Sequence, residues 1–174
     1  MLFRSAINLT KVNGGVIAFS GDLTHIGAVT LSGGTLILSG NNSYSGGTTL
    51  SGGTLQAGTD TALGVGTVTL NGGTLSSDGT AARTFANPVV LAANSTVGHS
   101  VASGLLTFTS SFDMNAASRS LTVNSDVLLS GGSANGGINK LGSATLTLQA
   151  VHNWTTVSEV RAGTLVLEDR KSVV

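Results

Sequence analysis

Gly33-Gly34-Thr35-Leu36 is the first of several nearly identical phrases in this chain of 174 residues. The phrase returns as Gly52-Gly53-Thr54-Leu55 and Gly72-Gly73-Thr74-Leu75, at intervals of 19 and 20 residues, and a fourth copy reads Ala162-Gly163-Thr164-Leu165. Self-similarity at a period of about 20 residues is typical of a solenoid, in which each repeat buries its apolar face only against its neighbours. The period therefore predicts a stack of similar coils.

The repeat extends beyond this phrase. Residues 11–36 align with residues 140–165 without a gap, at a constant offset of 129. The matched positions include Lys11 with Lys140, Ile17 with Leu146, Phe19 with Leu148, Leu31 with Val160, and Leu36 with Leu165. A bulky residue stands eleven positions before the closing leucine in three copies, as His25, Tyr44 and Trp154. We expect these three side chains to pack at a turn.

The composition favours a folded β-protein. Charged residues make up 9% of the chain, against about 25% in typical soluble domains. Disorder is the simplest alternative for a sequence rich in glycine, serine and threonine. Disordered chains, however, are poor in apolar and β-branched residues, which here alternate with polar ones. No stretch approaches the roughly 18 apolar residues of a membrane helix.

The short segments between the glycines predict strands, because they are rich in Val, Leu and Thr and mostly alternate. A meander of hairpins is one arrangement; a parallel coil is the other, and it places equivalent residues directly above each other, about 4.8 Å apart. We predict an all-β, right-handed single-stranded parallel β-helix of about eight coils, with Leu36, Leu55 and Leu75 in one internal ladder. The predicted strands are Ala28–Leu31, Thr35–Leu38, Val65–Leu70, Leu105–Phe108, Leu121–Val123, Ala144–Leu148 and Thr164–Leu167.

Two other repeat architectures do not fit. A leucine-rich repeat has a similar period but needs an asparagine at a fixed place after its leucines, and no such asparagine recurs here. The calcium-binding nonapeptide Gly-Gly-x-Gly-x-Asp is also absent from the sequence.

Three stretches carry a family resemblance. The first reads Leu38-Ser39-Gly40-Asn41-Asn42-Ser43-Tyr44-Ser45-Gly46-Gly47-Thr48-Thr49 and continues to Leu55; the others are residues 147–165 and the link Ala86–Asn94. They resemble the autotransporter-associated β-strand repeat, or passenger-associated transport repeat, of Gram-negative autotransporter passenger domains. Residues 150–152 depart from the pattern at the place of Gly40-Asn41-Asn42, and we expect a distorted turn there.

The resemblance implies a right-handed parallel β-helix that is exported and then threaded across the outer membrane by a C-terminal β-barrel. It implies a location on the cell surface, at the outer membrane exterior, or outside the cell. The implied partners are the remainder of the passenger and that outer-membrane barrel, with a host surface or other cells as further candidates. The absence of cysteine agrees with this route, because a periplasmic disulfide would obstruct threading.

The predicted domain is a β-helix over residues 6–168. Its repeat copies lie at about 9–36, 33–57 and 138–167, with degenerate coils at 76–137. Residues 1–5 and 169–174 resemble the translated ends of short-read sequencing adapters, so we expect them to be tails foreign to the domain.

The sequence contains one loose pair of acids that could carry catalytic chemistry. On coils of about 20 residues, neighbours in the stack are separated by that interval. Asp60 and Asp78 come nearest to this interval, and they are the candidate pair for the two carboxyls of a glycosidase. The remaining acids of the predicted domain, Asp22, Asp113, Asp126, Glu159 and Glu168, are scattered.

The sequence shows no pattern for a metal site, a serine nucleophile, a phosphate-binding loop or a nucleic-acid surface. His25 and His152 fall several coils apart and could not share a metal, and His99 lies in the degenerate middle. No Gly-x-Ser-x-Gly elbow with a partnered histidine and acid can be assembled, and the Gly-Gly pairs precede strands as turn glycines, so no phosphate loop is implied. Few basic residues argue against nucleic acid. We therefore predict no catalytic, cofactor or metal residue, no cofactor and no membrane insertion.

Two classes of function remain from the sequence. The first is a structural stalk of an autotransporter passenger, supporting adhesion and export, without enzymatic activity. The alternative is part of a β-helix enzyme that degrades a polysaccharide.

Overall fold

A computed structural model describes residues 7–24, 27–99 and 103–168. Within these ranges every recorded strand pairing is parallel, and no helix is present. The prediction of a parallel β-helix is confirmed, and the hairpin arrangement is excluded. No helix long and apolar enough to cross a bilayer occurs among the described residues.

The strands form three stacks that run along the molecule. Stack 1 contains β1 (Leu9–Lys11), β3 (Val29–Leu31), β5 (Thr48–Leu50), β7 (Val68–Leu70), β10 (Val89–Leu91), the first parts of β13 (Phe112–Val123) and β15 (Ser133–Leu141), and β17 (His152–Asn153). Stack 2 contains β2 (Val16–Phe19), β4 (Thr35–Leu38), β6 (Thr54–Ala57), β8 (Thr74–Ser77), β11 (Ser95–Val97), the second parts of β13 and β15, and β18 (Glu159–Val160). Stack 3 contains β9 (Arg83–Phe85), β12 (Leu106–Phe108), β14 (Val127–Leu129), β16 (Thr145–Leu148) and β19 (Thr164–Leu167).

The stacks define about eight coils, as the period predicts. The strands of stack 1 begin at residues 9, 29, 48, 68, 89, 112, 133 and 152, which are 19 to 23 residues apart. The sequence did not indicate the lengths of β13 and β15, which have 12 and 9 residues. Each continues through the corner between stacks 1 and 2, and their pairing contains a register shift between Asp113 and Ala117.

The predicted leucine ladder is confirmed. Leu36 pairs with Leu55, and Leu55 pairs with Leu75, in adjacent strands of stack 2. All three side chains have no exposed surface. Because inward and outward side chains alternate along a strand, the same strands present Thr35, Thr54 and Thr74 in a partly exposed row.

The two gapless copies of the long repeat occupy different stacks. Lys11 lies in stack 1 and Ile17 in stack 2, whereas their counterparts Lys140 and Leu146 lie in stacks 2 and 3. Leu165 consequently stacks on Leu146, outside the ladder of Leu36. The offset of 129 residues spans six turns of the helix and one further stack.

In the described residues of the first three coils, a corner takes the place of stack 3. The Asn42 amide joins three successive coils there: its Oδ1 accepts from Leu23 N at 2.8 Å, and its Nδ2 donates to Ala62 O at 2.6 Å. The Tyr44 hydroxyl is 2.6 Å from Thr48 Oγ1, which donates to Leu63 O at 2.9 Å. Burial raises the pKa of Tyr44 to about 12. Buried polar groups are tolerated at this corner because they are hydrogen-bonded.

Candidate functional site

Asp60 and Asp78 are both engaged in structural contacts with the same strand. Asp60 Oδ1 accepts from the backbone N–H of Thr84 at 2.9 Å, and Asp78 Oδ1 lies 3.1 Å from the guanidinium of Arg83. The two carboxylates therefore contact consecutive residues of β9. Both residues are exposed at the surface. Asp60 joins β9 to the preceding coil, and Asp78 holds Arg83 from the loop that leads into β9.

Every acid between residues 7 and 168 has a polar partner in the structure. Three aspartates accept a backbone N–H from the next coil: Asp22 from Asn41 at 2.7 Å, Asp60 from Thr84, and Asp126 from Thr145 at 2.9 Å. Unpaired backbone donors are costly, and a side-chain oxygen supplies an acceptor where the strand ladder is interrupted. We call these three aspartates the coil-bridging aspartates. The other acids contact side chains or their own loop, as Asp78 with Arg83, Asp113 with Asn115 and Asn135, Glu159 with Arg161, and Glu168 with Gln149.

A serine–histidine contact that the sequence analysis missed occurs near the last coils. Ser133 Oγ lies 2.5 Å from His152 Nδ1 and accepts from Trp154 Nε1 at 2.9 Å. The backbone N–H of Ser133 also points at Nδ1, at 3.2 Å, so Nδ1 is the unprotonated nitrogen. Ser133 and His152 pair in register on neighbouring coils. Their spacing in the sequence, which equals one coil, is the signal from which this contact could have been predicted.

The geometry of this cluster indicates a structural role. Ser133 is 1% exposed, so no substrate carbonyl can reach its hydroxyl as a nucleophile requires. Burial lowers the pKa of His152, which favours the neutral ring. Trp154 packs against the core as expected for the bulky position. His25, the first of the three bulky residues, lies outside the described residues.

A groove of about 490 Å³ lies beside this cluster. It is lined by Leu148, Gln149, Ala150, Val151, His152, Trp154, Leu167 and Glu168. Glu168 is the one carboxylate among these residues, whereas glycoside hydrolysis ordinarily uses two. Across residues 7–24, 27–99 and 103–168, no group of three or more histidine or acidic side chains is placed to hold a metal.

Two buried lysines form the second feature that the sequence analysis missed. Lys11 Nζ lies 2.7 to 3.2 Å from the carbonyl oxygens of residues 12, 13, 14 and 33, among which its three N–H groups are shared. Lys140 Nζ donates to those of residues 141, 142 and 162 at 2.9 to 3.2 Å. Both side chains are buried, Lys140 completely. Each ammonium group thus joins its own turn to the turn of the following coil.

The lysines belong to a longer form of the turn. Lys11 pairs with Leu31 and Ile17 with Leu36, so the lysine turn is one residue longer than the turn it contacts. Lys140 pairs with Val160 and Leu146 pairs with Leu165, so the turn after Lys140 is likewise one residue longer than the turn after Val160. Burial lowers the pKa of Lys140, and the charge of Asp126 opposes this shift. The extra residue adds a carbonyl group that requires a donor, and the ammonium supplies it.

We expect Lys140→Met to destabilise the last coils. Methionine retains an unbranched apolar chain but leaves buried carbonyls without their donor, which costs about 1–3 kcal/mol. Guanidinium denaturation followed by circular dichroism measures the effect. Arg161→Met is the control, because Arg161 forms an exposed ion pair with Glu159 and such pairs contribute at most about 1 kcal/mol. Equal midpoints for the two variants would contradict a stabilising role of the ammonium.

A known repeat family matches the chain in the regions of these contacts. The passenger-associated-transport-repeat matches residues 9–37, 33–57 and 138–167. The chain carries three copies of this repeat. Its presence indicates an autotransporter passenger domain. No curated protein and no solved structure matches the chain.

The passenger-associated-transport-repeats coincide with the structural features described above. The first and third copies each begin just before a buried lysine, Lys11 or Lys140. Each extends past the strand that pairs with the lysine, to β4 in the first copy and to β19 in the third. The second copy contains Asn42, Tyr44 and Thr48 at the polar corner. The repeat copies thus carry contacts that join one coil to the next.

Proposed function

We propose that this chain is a structural stalk segment of an autotransporter passenger. The observation that carries the proposal is that an acid, a histidine and a lysine, which could otherwise serve catalysis, are engaged in contacts between coils. The carboxylate of Asp60, the ring of His152 and the ammonium of Lys140 each hold neighbouring coils together. A solenoid of this kind provides length and stiffness through repeated nearest-neighbour contacts.

The proposal includes location and partners. The passenger-associated-transport-repeat supports a location on the surface of a Gram-negative cell or outside it, with the remainder of the passenger and a C-terminal outer-membrane β-barrel as partners. Coil-by-coil folding outside the cell would favour outward movement, because each coil buries apolar surface only after it emerges. The stalk would in this way support export and present an adhesive region away from the cell.

Surface display tests this proposal. The chain is placed between a secretion signal and the barrel of a well-behaved autotransporter, with an epitope tag at its N-terminus. We expect the tag to be accessible to antibody on intact cells and to external protease. Retention of the tag in the periplasm, while the host passenger alone is displayed, would contradict a stalk that supports export.

We expect the purified chain to cleave no polysaccharide. Asp60 and Asp78 are engaged by Thr84 and Arg83, and the 490 Å³ groove contains a single carboxylate. Reducing-end assays on pectin, cellulose and host glycans measure the activity. Asp60→Asn is the matched variant, since an amide oxygen retains the acceptor for Thr84. Cleavage that Asp60→Asn abolishes would establish the alternative, a β-helix polysaccharide-degrading enzyme.

A further inference from the structure

The outward side of stack 2 carries a regular array of neutral polar side chains in the middle coils. Thr74 pairs with Thr96, and Thr96 pairs with Thr122, so their side chains form one row along the helix axis. The spacing within such a row is about 4.8 Å. Asn94 and Ser120 lie two residues before Thr96 and Thr122. They form a second row about 6.6 Å away, at about 3.3 Å per residue.

A groove of about 370 Å³ lies over this array. The groove is shallow and open to solvent, so a ligand would lie along it as on a surface. Its lining includes Thr74, Thr96, Thr122, Asn94, Ser120 and Leu141. No lining residue is charged. Arg119 is next to Ser120 in the strand. Because successive side chains point to opposite sides, Arg119 lies on the side of the buried Leu121 and not on the side of the groove.

Hydrogen-bonding groups in the groove are available and partly oriented. Asn94 Oδ1 accepts from the backbone N–H of Ser120 at 2.8 Å, which fixes the amide and leaves its two Nδ2 donors for a ligand. The hydroxyls of the three threonines make no hydrogen bond within the described part of the chain. The threonine methyl groups and Leu141 add apolar surface next to them.

This combination selects a ligand class. A charged ligand would find no opposite charge, and an apolar ligand would leave the amide and hydroxyl groups unpaired, which is unfavourable. A neutral chain with many hydroxyls and apolar C–H faces satisfies both kinds of surface, and an extended one follows the row. We propose that this groove binds a neutral glycan chain running along the β-helix axis. This binding is additional to the stalk function and does not require export.

Isothermal titration of the purified 174-residue chain tests the inference. The probes are cellohexaose, maltohexaose and mannohexaose as neutral chains, and hexagalacturonate as a charged one. We expect at least one neutral probe to bind and hexagalacturonate not to bind. The absence of binding by every neutral probe at millimolar concentration would overturn the inference, as would equal binding of the charged probe.

Variants locate the site. Thr96→Val removes one hydroxyl and retains the β-branched shape, and Asn94→Asp retains the acceptor for Ser120 but removes the Nδ2 donors. We expect each to weaken binding about fivefold, the effect of losing one hydrogen bond of about 1 kcal/mol. Thr49→Val is the control, because Thr49 occupies a threonine row in stack 1 between Thr30 and Thr69. Loss of binding in Thr49→Val, or its retention in both groove variants, would overturn the assignment to this groove. Surface display of these variants remains a separate readout of the stalk function.

Discussion

Leu55→Asp is expected to unfold the central coils. Leu55 has no exposed surface and lies between Leu36 and Leu75 in the ladder. A carboxylate there would have neither water nor a cationic partner, and burying an unpaired charge is among the most costly changes in a protein. We expect a loss of more than about 4 kcal/mol of stability, visible as a collapsed β-sheet signal in circular dichroism and as early thermal melting.

Gln56→Asp provides the matched control. Gln56 is the next residue in the same strand and lies on its outward side, between Ile37 and Ser76 in the register. The same aspartate introduced there remains in contact with water, and we expect a change of less than about 1 kcal/mol. If Leu55→Asp melted at the same temperature as Gln56→Asp, Leu55 would not be buried in solution.

Gly53→Ala is expected to have the second largest effect. Gly53 has a φ of 76°, a conformation that costs an L-residue about 1–2 kcal/mol. A Cβ at this position would also overlap the backbone of Gly33 and Gly34 in the preceding coil. The turn can relieve this overlap only by separating two coils, so we expect a loss of about 3 kcal/mol or more, measured by chemical denaturation.

The control for this variant is Gly21→Ala. A methyl group added at Gly21 would meet no other atom within 4 Å, and the φ of Gly21 is not positive. Alanine also restricts the unfolded chain, which stabilises a protein by about 0.4–1 kcal/mol when the native backbone accepts it. A denaturation midpoint of Gly53→Ala at or above that of Gly21→Ala would show that the stacked glycine turn is not required.

The period of the Gly-Gly-Thr-Leu phrase was sufficient to predict the coil, the parallel pairing and the ladder of Leu36, Leu55 and Leu75. These follow from local rules: alternation decides which side chains are inside, and the repeat decides which lie above each other. The departure at residues 150–152 leaves a strand in place, since β17 still pairs with β15. The long strands β13 and β15 escaped prediction, because a strand that bends through a corner has no distinct sequence pattern.

The contacts of the polar side chains could not be predicted from the sequence in the same way. The acids are scattered in the sequence and show no common role there, whereas the coil-bridging aspartates accept backbone N–H groups from the next coil. Which donor lacks a strand partner depends on where each corner falls, and the sequence alone does not fix that. The buried lysines had a signal in the matched positions of Lys11 and Lys140, but their carbonyl partners emerge only from the stacked turns.

The change of stack between the two long copies bears on how such a molecule grows during evolution. A gapless copy functions in stacks 1 and 2 at one end and in stacks 2 and 3 at the other, because all three walls offer the same aliphatic interior. The long copy contains two strand–turn–strand pairs that lie about one coil apart, and a duplication of it need not comprise a whole number of coils. Recombination that adds a third of a turn would rotate every later outward row of side chains around the axis. The interior packing would stay the same, while each side of the molecule would present different surface residues.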